Sequence, residues 1–288
     1  MSTMDEALPA DLRTTVETTL AEDIGGGDIN AALVDASTSA TASVVVRENA
    51  VLAGAPWFEA VFAALDPYVK IKWAFEDGQR VPANTQICEI EGPVHALLTG
   101  ERTALNFLQL LSGVATTTYG FVERVKGTRT AIVDTRKTLP GLRSAQKYAV
   151  RCGGGVNHRF GLFDAFLIKE NHIMVSDSIA SAVARAREQS PDTFLQVEVE
   201  TLEELEQALE AGVDAVLFDN FATHVLARAV NKTDAHRRRF RRDIVIEASG
   251  DLTLKNVREI ADTGVDRISI GGLTKNVRAI DFSMRMHT

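Results

Sequence analysis

From about residue 128 onward the chain repeats one pattern: a short apolar run, a few polar residues, then an amphipathic stretch. The runs are Ala131–Val133, Ala165–Ile168, Phe194–Val199, Ala215–Phe218, Ile244–Ile246 and Arg267–Ile270. The stretches between them include Ser178–Glu188, Leu202–Glu210 and Leu254–Thr263. Alternating strand and helix signals predict parallel strands joined by right-handed crossovers. Roughly six or seven such units predict a closed or nearly closed α/β barrel. An open doubly wound sheet is the alternative.

The upstream part reads as mixed α and β. Asp11–Glu22 predicts a helix with Leu12, Val16 and Leu20 on one stripe, stopped by Gly25-Gly26-Gly27. Thr41–Val46 predicts a strand, and Ala55–Leu65 a helix with Pro56 in its first turn. Val69–Phe75 and Gln86–Ile90 predict strands joined through Asp77-Gly78. The longest uncharged run is Thr103–Val122, but it holds Asn106, Gln109, Ser112, Gly113 and Thr116 to Thr118. It predicts two buried helices, about Leu97–Leu111 and Val114–Val125, rather than a membrane span. Asn276–Met286 is amphipathic and predicts a last helix. The expected organisation is an open α/β sandwich over 1–112, the barrel over 113–272, and a segment, 273–288, that packs back on the first domain.

A chain of 288 residues can bury a core without cross-links. Apolar residues make up 45% and charged residues 24%, which disfavours disorder and fibres. The 31 basic and 39 acidic residues leave a net charge of −8, so no general attraction to nucleic acid or membranes is expected. Cys88 and Cys152 make no disulfide framework and point to a reducing compartment, the cytoplasm. The start, Met1–Glu6, is acidic and lacks an apolar core, so no signal peptide is expected.

In α/β barrels the chemistry sits at the C-terminal ends of the strands. Here those ends read Asp134-Thr135-Arg136-Lys137-Thr138, Lys169-Glu170-Asn171-His172, Glu198 with Glu200, Asp219-Asn220, Glu247-Ala248-Ser249-Gly250-Asp251, and Gly271-Gly272-Leu273-Thr274. Arg136, Lys137 and Lys169, with His158-Arg159, would gather positive charge within an acidic protein. Such a pocket suits a ligand with several carboxylates or phosphates, because a guanidinium grips either through two parallel hydrogen bonds. Ser249-Gly250 and Gly271-Gly272 lie between strand and helix, where small residues let backbone N–H groups approach a phosphate. Glu198 and Asp219 have the opposite sign and suggest Mg²⁺ or sugar hydroxyls.

Other features carry less. Gly153-Gly154-Gly155 lacks dinucleotide-loop spacing. His236-Arg237-Arg238-Arg239-Phe240-Arg241-Arg242 resembles a nucleic-acid patch but is expected to be a solvated helix end. Cys152 is expected to be a packed thiol, and no zinc spacing is present.

Several of these blocks resemble quinolinate phosphoribosyltransferases. They are Asp134 to Arg143, Gly153-Gly154-Gly155-Val156-Asn157-His158-Arg159, and Ile168-Lys169-Glu170-Asn171-His172. Glu22-Asp23-Ile24-Gly25, Glu101 to Asn106, Glu198-Val199-Glu200, Asp219-Asn220-Phe221 and Ala248-Ser249-Gly250 extend the likeness from about residue 8 to 285. Asn30 departs from the threonine usual there.

The resemblance implies an N-terminal open α/β sandwich and a C-terminal α/β barrel. It implies a pentosyltransferase of de novo NAD biosynthesis that turns quinolinate and phosphoribosyl pyrophosphate into nicotinate mononucleotide, pyrophosphate and CO₂. Mg²⁺ is implied, and no organic cofactor. It implies a homodimer or an oligomer of dimers such as a hexamer, with Arg102 contributed in trans. On this basis Arg102, Arg136, His158, Arg159 and Lys169 are expected at the two carboxylates of quinolinate, with Thr135 beside them. Lys137 is expected at the pyrophosphate, and Glu198 and Asp219 at Mg²⁺ and the ribose. Ser249, Gly250 and Gly271 are expected at the 5′-phosphate. Rival readings are a related transferase acting on nicotinate, a molybdenum-uptake relative, a nucleotide-sensing barrel without CO₂ release, and an RNA-binding protein using residues 236–242.

Overall fold

The order of the downstream strands decides between barrel and doubly wound sheet. The computed structural model describes residues 8–30, 33–35 and 38–287; the acidic start, Met1–Glu6, lies outside the described residues. In chain order the elements are α1 (Leu12–Ile24), β1 (Ser39–Val46), β2 (Ala50–Val51), α2 (Ala55–Leu65), β3 (Lys70–Trp73), β4 (Arg80–Val81), β5 (Thr85–Pro93), α3 (Val94–Val125), β6 (Ala131–Val133), α4 (Arg143–Cys152) and β7 (Phe166–Ile168). There follow α5 (Glu170–Val175), α6 (Ile179–Gln189), β8 (Leu195–Val199), α7 (Leu202–Ala211), β9 (Ala215–Asp219), α8 (Thr223–Phe240), β10 (Val245–Ser249), α9 (Val257–Asp262), β11 (Arg267–Ser269), α10 (Gly272–Lys275) and β12 (Phe282–His287). Two compact units divide the chain. One takes residues up to Tyr119, Lys137–Gly155 and the chain from Gly272 onward; the other takes Gly120–Arg136 and Val156–Gly271.

In the second unit six parallel strands pair in the order β6-β11-β10-β9-β8-β7. In a doubly wound sheet the first strand sits inside the order and the chain reverses around it. Here each strand from β7 to β11 lies beside the next, and β11 returns to β6. That is the cyclic order of a barrel. Beyond β6 the segment at Val156 continues the ring by a parallel bridge to Val133. The helices bury one stripe each: Ile179, Ala182, Val183 and Ala186 on α6, and Leu226, Ala229, Val230 and Thr233 on α8. These follow the i, i+3, i+4, i+7 spacing of a helix that covers a sheet with one face.

The basic run forms the end of α8, with Arg241 in the left-handed cap at φ 53°. It is only partly solvated. Arg237 is hydrogen-bonded to the carbonyl of Ile244 and ion-paired with Asp234 at 2.7 Å and with Asp266. Arg242 donates to the carbonyl of Gly212 at 3.0 Å. These bonds, and the favourable field of cations at a helix C-terminus, account for much of the run without nucleic acid.

The first unit is built on the antiparallel sheet β12-β1-β5-β3. Against it α2 buries Trp57, Phe58, Val61 and Phe62 completely. Phe58 meets Phe62 and Trp73 edge-on, with centroids 5.1 and 5.4 Å apart. The N-cap of α2 is Gly54, which has no side chain to cap the first turn. Asp77 does so from a distance: its carboxylate accepts from Gly54 N at 2.9 Å, Ala55 N at 3.3 Å and the Tyr148 hydroxyl at 2.8 Å. Burial raises the Asp77 carboxyl above its ordinary range, against the opposing effect of these hydrogen bonds. Asp77→Ala is expected to cost about 1–3 kcal/mol, because buried donors lose their acceptor. A urea midpoint for the variant checks this.

Two sequence expectations fail here. The apolar run forms one helix, α3, without a break at Ser112-Gly113. Gly113 serves close approach instead: a Cβ there would lie 2.4 Å from the carbonyl oxygen of Arg278. Ser112 hydrogen-bonds the backbone of Ala53. The chain end is a strand, not a helix. β12 pairs antiparallel with β1, Val44 opposite Met284, and so closes an edge whose backbone groups would otherwise be unpaired.

Candidate active site

The loop after β6 and the loop after the Val156 bridge are tied together by a buried carboxylate. Asp134 accepts from the backbone N–H of His158 at 2.9 Å and from the Asn157 amide at 2.6 Å. Asp134 is fully buried. It fixes the segment that carries His158 and Arg159 beside the one that carries Thr135 and Arg136. The glycines before this segment are there for packing. A Cβ on Gly155 would lie 2.8 Å from both Thr118 and Val150, and Gly154 sits at φ +84°. They build no dinucleotide loop.

Arg159 donates to the carbonyl of Ala165 at 3.0 Å. Its guanidinium is pushed below its ordinary range, first by burial and then by the positive charge of Arg136, with Asp164 opposing. Two guanidiniums that repel each other in a half-buried place favour an anion between or beside them. At the end of β7, Lys169 is ion-paired with Glu198 at the end of β8. His172, from the same motif, closes the first turn of α5 by accepting from the Lys169 N–H at 3.0 Å.

One layer deeper lies a polar cluster that the sequence analysis did not single out. Gln196, Glu247 and Arg267 stand on β8, β10 and β11, with Glu247 and Arg267 in register. Arg267 Nε donates to Glu247 Oε2 at 2.5 Å, and Gln196 Nε2 to the same oxygen at 2.9 Å. His158 Nε2 lies 3.1 Å from Gln196 Oε1 and 3.4 Å from Glu247 Oε2. Burial pushes the Glu247 carboxyl up, yet the His158 hydrogen bond and the Arg267 charge outweigh it and hold the group at about 2. A signal for this cluster existed: Gln196 and Glu247 are polar positions inside otherwise apolar strands. Glu247 stands among the strand-end residues, but Gln196 reads as a plain strand position, and only the hydrogen bond between them shows that they converge.

The acidic and phosphate candidates occupy neighbouring strands. Asp219 ends β9 and accepts from the Asn220 amide at 3.0 Å. In register with it, Ser249 ends β10. Gly250 has φ +145°, and a Cβ there would lie 2.5 Å from Asn220 Oδ1, so only glycine fits. Ser249, Gly250, Asn220, Asp251 and Asn256 line a cavity of about 170 Å³. Gly271, in the turn after β11, does not line it. No group of three or more His, Cys, Asp or Glu among the described residues stands together as a metal site. Glu198 and Asp219 offer two carboxylates, the donor set Mg²⁺ takes when substrate phosphates and water complete its shell.

Ten of the expected site residues thus share one unit: Thr135, Arg136, His158, Arg159, Lys169, Glu198, Asp219, Ser249, Gly250 and Gly271. Lys137 and Arg102 belong to the other and are both exposed.

The chain is similar to known proteins in sequence and fold. The family model for the quinolinate phosphoribosyl transferase N-terminal domain matches residues 28–112, and that for the C-terminal domain matches residues 114–285. The solved nicotinate-nucleotide pyrophosphorylase from Francisella tularensis has a TM-score of 0.92 and 44% identity, covering 98% of both chains. A Bacillus subtilis (strain 168) protein called probable nicotinate-nucleotide pyrophosphorylase (carboxylating) is 40% identical over 264 residues, 91% of this chain and 89% of its own. The human nicotinate-nucleotide pyrophosphorylase (carboxylating) is 36% identical over 282 residues, 96% of this chain and 92% of its own. With a cyclic α/β barrel, a cationic pair at its strand ends and both family models spanning nearly its whole length, the chain belongs to the quinolinate phosphoribosyltransferase family.

Proposed function

We propose that the protein transfers the phosphoribosyl group of phosphoribosyl pyrophosphate to quinolinate and releases CO₂, giving nicotinate mononucleotide for NAD biosynthesis. The observation that carries this reading is that one barrel unit of an acidic protein gathers Arg136, Arg159 and Lys169 after its strands, with Arg136 close enough for its charge to act on Arg159. A ring with two adjacent carboxylates suits such a cationic group, because a guanidinium grips a carboxylate through two parallel hydrogen bonds. Release of ¹⁴CO₂ from labelled quinolinate, only when phosphoribosyl pyrophosphate is present, tests it. Equal turnover of nicotinate would favour the rival transferase.

The chemistry follows from the charges. The pyridine nitrogen attacks ribose C1 as the bond to pyrophosphate breaks, and positive charge develops at C1. Glu198 and Asp219 lie on the strands where negative charge would stabilise it. Arg136, Arg159 and Lys169 hold the carboxylates and so fix the angle of attack. The nitrogen is now cationic. When the bond from C2 to its carboxylate breaks, the electron pair remains beside that cation, CO₂ leaves, and C2 takes a proton. No organic cofactor is required. Glu198 and Asp219 would hold Mg²⁺, which would supply positive charge to the departing pyrophosphate. The cavity at Ser249 and Gly250, with Gly271 in the turn after the neighbouring strand β11, would take the 5′-phosphate.

We further propose a homodimer or an oligomer of dimers, with Arg102 acting in the partner's site. Support comes from large exposed apolar side chains that follow the site motifs in sequence: Phe163 is 85% exposed, Met174 73% and Val175 75%. Arg102→Ala and Lys169→Ala are each expected to be weak alone. Mixed subunits should regain activity at about one quarter of the sites, since each hybrid dimer restores one intact site. No recovery despite measured subunit exchange would reject the shared site. A cytoplasmic location is supported by the free buried thiols of Cys88 and Cys152, both pushed up to about 12 by burial. No helix among the described residues is long and apolar enough to cross a membrane.

A further inference from the structure

His158 stands at the end of the cationic segment, and each of its ring nitrogens has a geometrically determined role. The backbone N–H of Arg159 points at Nδ1 from 2.8 Å. An N–H can only donate, so Nδ1 carries the lone pair. Nε2 then carries the proton. It faces two acceptors, Gln196 Oε1 at 3.1 Å and Glu247 Oε2 at 3.4 Å. The orientation of the Gln196 amide agrees. Its Nε2 donates to Glu247, and its oxygen also receives Arg267 Nη2 at 3.2 Å. A doubly protonated imidazole would set Nδ1–H against the Arg159 N–H, donor against donor.

We propose that Gln196, Glu247 and Arg267 are a positioning set that locks His158 in its neutral Nε2–H tautomer, so that His158 orients Arg159 and supplies no proton to the product carbon. This rests on the reading of the site as a decarboxylating phosphoribosyltransferase. Of the three candidate proton sources, His158, Lys169 and water, it leaves Lys169 and water. It also explains why a carboxylate can lie beneath a pocket that must attract a dianion. Arg267 is bonded to Glu247, so the pair adds no net negative charge below Arg136 and Arg159. The depressed Glu247 carboxyl fits a group that stays ionised throughout turnover.

Two measurements on the full-length enzyme test the set. The first is the tautomer of His158 in ligand-free protein, read from long-range ¹H–¹⁵N correlations and assigned with His158→Asn. The expected pattern is a pyridine-like Nδ1 and a pyrrole-like Nε2; a protonated Nδ1 overturns the proposal. The second is kinetic. In His158→Asn the side-chain oxygen can still accept from the Arg159 N–H, and turnover should fall by no more than about tenfold, the worth of one net hydrogen bond. Loss of a proton donor would instead cost about 10²–10⁴-fold in turnover, and that result overturns the proposal. Glu247→Gln should raise KM for quinolinate while leaving KM for phosphoribosyl pyrophosphate in place. Unchanged KM values together with unchanged ¹⁵N shifts of His158 would also overturn it. Should Glu247→Gln fail to fold, the wild-type tautomer and His158→Asn still decide. If the wild-type enzyme releases no CO₂ from quinolinate, the functional reading falls, while the tautomer is still measured. If CO₂ is released and Nδ1 is protonated, the positioning set alone falls.

Discussion

Arg136→Ala is expected to lower kcat/KM for quinolinate about 10²–10³-fold, or ~2–4 kcal/mol of transition-state stabilisation. The reason is the geometry of the cationic pair. Burial and the charge of Arg136 both disfavour the Arg159 guanidinium in the free protein, and a bound dianion offsets both. Removing Arg136 leaves a carboxylate without its fork and takes a like charge away from Arg159. The two losses therefore fall short of adding, and Arg136→Ala/Arg159→Ala should be better than the product of the single variants. Lysine should not restore Arg136, because a point charge does not reproduce two parallel hydrogen bonds. Steady-state kinetics with both substrates varied checks each statement. Near-normal kcat/KM in Arg136→Ala would remove this residue from the site.

The second large effect concerns stability. Glu247 is fully buried and Arg267 is its bonded partner, with a 19% exposed side chain. Glu247→Ala leaves that cation and the Gln196 amide inside the barrel without their acceptor, and is expected to cost about 3–5 kcal/mol. A shift of the urea midpoint at neutral pH, at constant slope, measures it. Glu247→Gln keeps the volume and one acceptor and should cost less. The acid limb gives an independent check. The Glu247 carboxyl is held at about 2 in the folded protein, below its ordinary value of 4.5. The unfolded chain therefore binds more protons in that window, so the stabilisation is complete above 4.5 and is lost as pH falls toward 2. Glu247→Gln should flatten this part of the stability curve. An identical acid limb in the variant would contradict the ionised, paired state.

Much of the barrel was legible because periodicity is a local property. The apolar run Ala131–Val133 coincides with β6, and the stripe in Leu202–Glu210 lies within α7. Where the sequence misled, a long-range contact had overruled a local signal. Gly113 looks like a helix break, because glycine in a helix interior costs about 1 kcal/mol relative to alanine. The passing backbone of Arg278 keeps it inside α3 instead. Asn276–Met286 has enough amphipathicity for a helix, but the open edge of β1 offers a ladder of hydrogen bonds that a lone helix does not. The Gly153-Gly154-Gly155 turn is similarly explained by Ala115, Thr118 and Val150, all distant in sequence or in the preceding turn.

The strand ends bearing Arg136, Lys169, Glu198 and Asp219 were legible in the chain alone, since strand–helix alternation dictates which end of each strand meets the loops, whereas the bridge at Val156 that precedes Arg159 was not. Tertiary structure alone decided the company these residues keep. Parallel register brings Glu247 level with Arg267, and the clamp of Asp134 turns His158 inward to the cluster they form with Gln196. A hydrogen bond depends on a few tenths of an ångström and on direction, and neither is encoded in the spacing of residues along a chain.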